Sequence, residues 1–202
     1  MKNKLLIATN NKGKVIELQD LLADINIELV TPARINLDLD VEEDGSTYAE
    51  NATKKALAFA RASGLISVAD DSGLEVDALG GAPGLYSARY SPRPGAKDAD
   101  RRALLLENLR ATQTPPPWTA HFHATIAIAT PGGEVQLTEG NCPGEIITEE
   151  RGTGGFGYDP IFLLSERGLT MAELNMDEKN RLSHRARAVL AAKPILMKLF
   201  GM

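Results

Sequence analysis

Two adjacent carboxylates, Asp70 and Asp71, are the side chains in this sequence best suited to do chemistry. They follow the apolar run at positions 66–69 and precede Ser72 and Gly73, which predicts a buried strand that delivers its acids into a turn. At the carboxyl edge of an α/β sheet, paired carboxylates can hold a hard divalent cation or orient a water molecule. Asp-Asp-Ser-Gly is also ordinary turn and capping chemistry, and these four residues alone favour that interpretation slightly.

A polar loop with two lysines follows the first apolar run of the chain. The run from Lys4 to Thr9 predicts a buried strand, and apolar residues at helical spacing between Val15 and Ile25 predict an amphipathic helix. The loop between them offers amide, hydroxyl, carboxamide and ammonium groups that suit a phosphate at a helix amino terminus. It lacks Walker A spacing, and Asn-Asn-Lys-Gly is also a common solvated turn. The candidate phosphate ligands are Thr9, Asn10, Asn11, Lys12, Gly13 and Lys14.

An acidic segment over residues 38–44 precedes a helix predicted over residues 45–62. A charge run is by default a solvated face. Lys54 and Lys55 lie one or two turns along that helix, so one of them could face the same cleft as Glu43.

The segment GTGGFGYDP, residues 152–160, formally contains GxGxxG. A dinucleotide fingerprint requires a helix to begin there, whereas Tyr158, Asp159 and Pro160 predict a bend followed by another strand. The glycines would let backbone approach a flat ligand, with Phe156 as a stacking face and Asp159 as an acceptor. A tight glycine turn with Phe156 in the core fits this segment equally well.

The second half of the chain predicts a long β-hairpin, with Phe122 to Ile128 as one strand and Val135 to Glu139 as the other. His121 and His123 share a strand face but lack a nearby third ligand, which favours a solvated or partly packed pair over a metal site. From Asp177, one helix is predicted to run on until Pro194 breaks or restarts it. This helix carries Lys179, His184 and Arg185. Earlier in the chain, the loop from Ser91 to Ala99 is a candidate mobile flap.

Composition predicts a globular protein with one domain over residues 1–202. Of its 202 residues, 43% are apolar and 24% charged, which excludes a disordered or fibrous chain. The net charge of −5 argues against sequence-independent binding to duplex nucleic acid. A single cysteine, Cys142, and no signal-like or membrane-length apolar run predict a cytoplasmic protein that does not bind membranes.

Together, a phosphate loop, carboxylates, an aromatic glycine loop and a basic carboxyl-terminal segment fit a nucleoside triphosphate with magnesium. The sequence also resembles the inosine triphosphate pyrophosphatases, the dITP/XTP pyrophosphatases that remove non-canonical purine nucleotides. Five segments carry the resemblance, in matching order and spacing from Thr9 to Arg185: TNNKGK, EEDGSTYAENATKKA, ADDSGLEVDALGGAPGLYSARY, GTGGFGYDPIF and EKNRLSHRA.

The resemblance implies an α/β fold with an elongated mixed β-sheet flanked by helices, two lobes with a central cleft, and a homodimer. It implies hydrolysis of ITP, dITP and XTP to the monophosphate and pyrophosphate. Thr9 to Lys14 would bind the triphosphate, and Glu43 with Asp71 would hold Mg²⁺. Asp71 would be the catalytic base and Asp70 a supporting acid.

Further substrate contacts follow from the same resemblance. Ser72, Lys55 and Arg89 would contact the substrate, the last two at its phosphates, although the basic residue of the family is displaced by one position at Arg89. The base would be held by Phe156, Gly157, Tyr158, Asp159, Lys179, His184 and Arg185.

Asp159 could accept a hydrogen bond from the N1–H of a 6-oxopurine, whereas adenine presents an acceptor at that position. His184 or Arg185 could donate a hydrogen bond to the 6-oxo group. Two alternatives remain open from the sequence: a nucleotide-binding sensor without turnover, and a related pyrophosphatase that prefers modified pyrimidine or 7-methylguanine triphosphates. Paired acids favour catalysis over the sensor, since binding needs no general base.

Overall fold

A computed structural model describes residues 3–202. Its secondary structure alternates strands and helices in the first half, which is typical of an α/β protein. The helices are α1 (Lys12–Leu21), α2 (Tyr48–Ser63), α3 (Asp98–Ala111), α4 (Met176–Leu182) and α5 (His184–Leu199). The strands are β1 (Lys4–Ile7), β2 (Glu28–Val30), β3 (Ile66–Val76), β4 (Trp118–Ala129), β5 (Val135–Ile146), β6 (Phe162–Leu164) and β7 (Leu169–Thr170).

These strands form one mixed sheet in the order β2-β1-β3-β4-β5-β6-β7. β1 pairs in parallel with β2 and β3, whereas β5 with β6 and β6 with β7 pair antiparallel. β4 and β5 are neighbours joined by a tight turn in which the Thr130 N–H donates to the Glu134 carbonyl at 2.9 Å. The predicted α/β class, the mixed sheet and the hairpin are therefore confirmed.

The chain divides into two compact units. The first comprises the described residues up to Asp71, Ala124–Gly140 and His184–Met202, and the second comprises Ser72–His123 and Asn141–Ser183.

Each unit has its own apolar core. In the first unit, α1 and α5 bury Leu18 and Val189 in one cluster, and α2 buries Phe59 in another. In the second unit, α3 buries Leu105 in a cluster with Phe162 and Trp118. In α1, the apolar spacing that predicted the helix is also the spacing of the apolar residues that it buries, Leu18 and Leu21.

The prediction that a strand delivers Asp70 and Asp71 into a turn is wrong. β3 continues through both acids, Ser72 and Gly73 as far as Val76. β1, however, pairs only with Ile66–Val68 of β3, so the acids lie just beyond its carboxyl end. Asp70 can remain in a buried strand because Lys14 and Arg185 neutralise its charge. It therefore does not need the solvent contact that a turn would provide.

The prediction of one helix from Asp177 that breaks at Pro194 is also wrong. The break falls at Ser183, whose extended backbone (φ −65°, ψ 155°) ends α4 and starts α5 at His184. Pro194 lies inside α5, which continues because buried Ala192 and Leu196 hold both sides of it in the core. Lys179 and Arg185 therefore belong to different helices.

In residues 152–160, bends and turns lead into a 3₁₀ turn and then β6, so the α-helix that a dinucleotide fingerprint requires does not begin there. His121 and His123 face different partners: His121 Nε2 lies 3.2 Å from Glu75 Oε2, and His123 Nδ1 lies 2.8 Å from Asn141 Oδ1. Between residues 3 and 202, no group of three or more His, Cys, Asp or Glu side chains is arranged to hold a metal ion. Over the same range, no helix has the length and apolar character needed to cross a bilayer.

Candidate active site

The predicted phosphate loop connects β1 to the amino terminus of α1. Asn11 caps the helix, its Oδ1 accepting from the Lys14 N–H at 3.2 Å, and the Asn11 N–H donates to Thr9 Oγ1 at 3.2 Å. Asn10 and Lys12 are exposed. Capping therefore fixes the loop, while free ends of polar side chains and the first-turn amides remain suited to an anion.

Two lysines from different helices converge on Asp70. Lys14 Nζ lies 2.5 Å from Asp70 Oδ1 and donates to its backbone carbonyl at 3.3 Å. Lys55 Nζ donates to the same carbonyl oxygen at 2.9 Å. A single carbonyl thus brings two ammonium groups close together, as binding of a polyphosphate would require.

Asp70 lies at the centre of a buried charge network. Arg185 Nε donates to Asp70 Oδ2 at 2.7 Å, and Arg185 also pairs with buried Glu17 of α1. Burial alone would raise the pKa of Asp70, but Arg185 and Lys14 outweigh it and hold the pKa well below its usual range. Asp70 is therefore an ionised anchor for cations and is poorly suited to accept a proton.

Asp71 has a different environment. Lys55 Nζ lies 3.4 Å from Asp71 Oδ1, and burial raises the pKa of Asp71 although Lys55 and Lys14 oppose the change. A carboxylate that holds a proton more tightly is the stronger base. Of the two neighbours, Asp71 is the one suited to proton transfer.

Glu43 reaches the same lysine from an extended segment. Lys55 Nζ donates to Glu43 Oε1 at 2.9 Å, while Lys54 pairs with Asp44. Residues 37–43 alternate between inward and exposed, with Leu39 and Val41 packed on the first unit's core. This period-two pattern turns Glu43 inward. Of the two lysines predicted to lie near Glu43, Lys55 is the one that contacts it.

The carboxylates of Glu43 and Asp71 fit a magnesium site. Both are hard oxygen donors that converge on one cation, the Lys55 ammonium. Burial disfavours that ammonium, yet Asp71 and Glu43 outweigh the cost and raise the pKa of Lys55. Magnesium is commonly held by one or two carboxylates together with substrate phosphates, so a pair of protein ligands is sufficient.

A second residue set lies in the second unit. Lys179 Nζ of α4 lies 2.6 Å from Asp159 Oδ2, which also accepts from the Phe156 N–H at 2.8 Å. The same ammonium lies 5.3 Å from the centre of the Phe156 ring. Gly155 has φ +69°, and a Cβ there would overlap Asp159 Oδ2, so only glycine permits this packing. The set presents a part-buried aromatic ring beside a buried carboxylate and ammonium.

The remaining predicted residues are placed as follows. Tyr158 is buried, and its hydroxyl donates to the Ser87 carbonyl at 2.9 Å, with burial raising its pKa. Arg89 is exposed and lies over the ring of Tyr86, with 5.0 Å between Arg89 Cζ and the ring centre. The other predicted contacts are part-buried Gly13, Ser72 and Gly157 and buried His184.

Sequence reasoning missed several residues that support these sets. Glu17 pairs with Arg185, and Asp98 and Arg102 of α3 bind the backbone of Gly157. For Glu17 a signal existed, since it directly precedes buried Leu18 on the apolar face of α1. Asp98 and Arg102 lie four apart on one helix, which indicates a shared face but no partner.

Comparisons with known proteins identify the family of the chain. We call the charged residues of the first unit the first residue set; they are Glu17, Glu43, Asp70, Asp71, Lys14, Lys55 and Arg185. With the fold, this set defines an α/β protein with a candidate anion site lined by carboxylates and lysines. The sequence model of the Ham1 family matches residues 5–195. The chain belongs to the Ham1 family.

Individual relatives cover nearly the whole chain. A protein of Desulforamulus reducens named dITP/XTP pyrophosphatase is 49% identical over 98% of this chain and 97% of its own length. A similarly named protein of Geobacter sulfurreducens is 47% identical over 94% of both chains. Among solved structures, a HAM1 protein from Coxiella burnetii has a TM-score of 0.87 at 39% identity and covers 97% of this chain and 99% of its own. The dITP/XTP pyrophosphatase of Mycobacterium abscessus has a TM-score of 0.73 at 42% identity and covers 95% of this chain and 99% of its own.

Proposed function

We propose that this chain is a nucleoside triphosphate pyrophosphatase that hydrolyses ITP, dITP and XTP to the monophosphate and pyrophosphate. The observation that carries the proposal is the convergence of Lys14 and Lys55 on the backbone carbonyl of Asp70, beside the Asp71 and Glu43 carboxylates that contact Lys55. Two ammonium groups suit a polyphosphate, and the adjacent carboxylates supply a base and ligands for a metal ion. Burial, which raises the pKa of Asp71, supports its role as the base in the metal-free protein. The names of the Ham1 relatives support the same substrates.

The proposed reaction is an in-line attack of water on the α-phosphorus. Asp71 accepts the proton of the attacking water, the new oxygen–phosphorus bond forms, and the bond from the α-phosphorus to the bridging oxygen breaks. Pyrophosphate leaves with the electron pair of that bond. Lys14 and Lys55 stabilise its developing charge, and Asp70 holds Lys14 in place.

Magnesium is the proposed cofactor, held by Glu43 and Asp71. Bound there, it would neutralise phosphate charge and polarise the phosphoryl group. Lys55, which now balances both carboxylates, would then be available to a phosphate oxygen.

Recognition of the base is assigned to the second residue set. Phe156 is proposed to stack on the purine, and Asp159 to accept the N1–H of a 6-oxopurine. The ion pair with Lys179, at 2.6 Å, orients that carboxylate as an acceptor. A site built on such a bond rejects adenine, which offers an acceptor at the same position.

For His184 we retain the proposed contact with the base, whereas the contacts of Arg185 favour another role. The Arg185 guanidinium is 2% exposed and is engaged by Asp70 and Glu17. We propose that it acts as a positioning residue for Asp70. A cytoplasmic homodimer that acts on free nucleotides, with no nucleic acid or membrane partner, completes the proposal.

The direct test is incubation of the protein with ITP and Mg²⁺, followed by separation of IMP, IDP, phosphate and pyrophosphate. IMP and pyrophosphate in equal amounts are expected. Binding without products would indicate a sensor, and IDP with phosphate would contradict attack at the α-phosphorus. A panel with ATP, GTP, modified pyrimidine and 7-methylguanine triphosphates checks the base preference.

A further inference from the structure

Gly157, in the aromatic glycine loop, is held by both of its backbone hydrogen-bonding groups. Asp98 Oδ2 accepts from the Gly157 N–H at 2.8 Å, and Arg102 Nη1 donates to the Gly157 carbonyl at 2.8 Å. Both side chains come from α3 and are four residues apart, so they project from one face of the helix. We call this pair of contacts the α3 clamp.

The two side chains of the α3 clamp make further contacts. Arg102 donates from Nε to Glu150 Oε1 at 2.7 Å and from Nη2 to Glu150 Oε2 at 2.9 Å, and its side chain is 12% exposed. Asp98 pairs with Arg101 of the same helix. A bidentate arginine–carboxylate pair fixes the plane of the guanidinium group as well as its position. This pair orients the remaining nitrogen, Nη1, towards the Gly157 carbonyl.

Gly157 lies between the two residues assigned to the base. Phe156 precedes it, and Asp159 follows by two positions and accepts from the Phe156 N–H at 2.8 Å. Gly157 has φ +63°, and nothing lies within 4 Å of the position that a Cβ would occupy, so this side of the residue faces open space. Its location depends on backbone contacts such as those to Asp98 and Arg102.

From these contacts we infer that Asp98 and Arg102 are positioning residues that set base recognition, by fixing the loop that carries Phe156 and Asp159. The inference rests on the proposed function, because it names what controls the base half of that site. A ligand bound by a pre-ordered loop does not have to order it, so the clamp contributes to affinity without touching the nucleotide. Steps at the phosphates depend on other residues and should not respond to the clamp.

The test compares Asp98→Ala, Arg102→Ala and the double variant with Arg110→Ala and Glu107→Ala, which change exposed residues of the same helix. Inhibition constants for IMP, which carries the base, and for pyrophosphate, which does not, are measured with KM and kcat for ITP. Loss of one charge-assisted bond is expected to raise KM and the IMP constant by about 10-fold or more. kcat and the pyrophosphate constant are expected to stay within about 3-fold.

Because both hydrogen bonds hold the same residue, Gly157, the loss of IMP affinity in the double variant is expected to be smaller than the sum of the losses in the two single variants. Asp98→Asn, which can still accept from the Gly157 N–H, is expected to recover most of the affinity for IMP and covers the case in which Asp98→Ala fails to fold. An IMP constant that does not change, or IMP and pyrophosphate constants that rise together, would overturn the inference.

Calorimetric binding of IMP to the same variants requires no turnover, and so separates this inference from the proposed function. Absence of pyrophosphate release by the unaltered protein would defeat the function alone. IMP binding that does not respond to Asp98→Ala or Arg102→Ala would defeat the clamp.

Discussion

Asp70 and Asp71 are identical side chains in adjacent positions, yet their surroundings differ because successive residues of a strand point to opposite faces. Asp70 contacts Arg185 and Lys14, whereas Asp71 shares Lys55 with Glu43. The charge of Asp70 is thereby neutralised by two cations, whereas Asp71 shares a single cation with Glu43.

At the level of this residue, Asp71→Asn is expected to keep the fold and to lower kcat for ITP by about 10²–10⁴-fold, since the amide cannot accept the proton of water. Pyrophosphate release under saturating ITP and Mg²⁺ measures the effect. Asp38→Asn, at an exposed acid of the extended segment, is the matched control. Turnover by Asp71→Asn at the level of that control would remove Asp71 from its proposed role.

Asp70 and Asp71 should contribute to stability with opposite dependence on pH. Asp70 has a lowered pKa, so its stabilising effect is present above its unfolded value and is lost as the pH falls through the folded value. Asp70→Asn is therefore expected to lower the free energy of unfolding by about 3–5 kcal/mol at pH 7, because Lys14 loses its carboxylate partner and Arg185 keeps only Glu17. The cost should shrink as the pH is lowered.

Asp71 has a raised pKa, so any stability from its protonated form is present below the unfolded value and is lost as the pH rises through the folded value. Asp71→Asn should therefore be at least as stable as the unaltered protein at pH 7, with Lys55 still paired to Glu43. Urea unfolding at pH 7 and pH 4, without nucleotide and with chelator, measures both variants. Equal destabilisation by the two changes at pH 7 would contradict the assigned environments.

At the scale of elements, each functional side chain is placed by a different kind of local structure. Asn11 caps α1 and so places Lys14 in its first turn. Lys55 lies on the buried face of α2, and Glu43 is turned inward by an extended segment. The break at Ser183 separates Lys179 on α4 from Arg185 on α5. Helix, extended segment and interhelical break therefore each contribute to the candidate site.

The aromatic glycine loop provides a prediction about an element. Gly155→Ala would overlap Asp159 Oδ2 and crowd Lys179 Nζ, in addition to straining a backbone with φ +69°. We expect it to displace the Asp159–Lys179 pair and to raise KM for ITP by about 10-fold or more, from loss of a buried charge-assisted contact. Steady-state kinetics with ITP measures the change.

Gly168→Ala is the matched control, because Gly168 has a similar φ of +65° but nothing within 4 Å of a Cβ. It should incur the cost of backbone strain, about 1–2 kcal/mol of stability, without an effect on KM. Equal KM values for the two variants would show that overlap with Asp159 has no consequence for binding.

For the whole molecule, the two residue sets belong to different units. Lys14, Lys55, Asp70 and Asp71 lie in the first, and Phe156, Asp159 and Lys179 lie in the second. In the first set, three cations (Lys14, Lys55 and Arg185) face four carboxylates (Glu17, Glu43, Asp70 and Asp71). A site that must bind a triphosphate needs further positive charge, which a divalent cation supplies.

Chelation of divalent metal is therefore expected to abolish pyrophosphate release, and added Mg²⁺ to restore it. Glu43→Gln should raise the Mg²⁺ concentration for half-maximal rate by about 10-fold, from loss of one of two carboxylate ligands. Glu42→Gln, at the exposed neighbour, is the control. Metal titrations at fixed ITP that coincide for Glu43→Gln and Glu42→Gln would argue against Glu43 as a ligand.

The sequence alone determined the kinds of element and the identities of the candidate residues. Apolar patterns predicted β1, α1 and the hairpin, since these signals depend on neighbours within a few turns, whereas the α/β fold as a whole was implied by the family resemblance. The capping loop at Asn11 and the glycine-rich turn before Asp159 could likewise be predicted, because they express local backbone preferences.

Only the tertiary structure decided what each charge contacts. Asp70 and Arg185 are separated by 115 positions, Glu17 and Arg185 by 168, and Asp98 and Gly157 by 59. No local pattern encodes such pairs, and the continuation of β3 through its acids depends on those distant cations. The pKa of a buried group follows from its desolvation and its neighbours in space, so the different states of Asp70 and Asp71 exist only once the chain has folded.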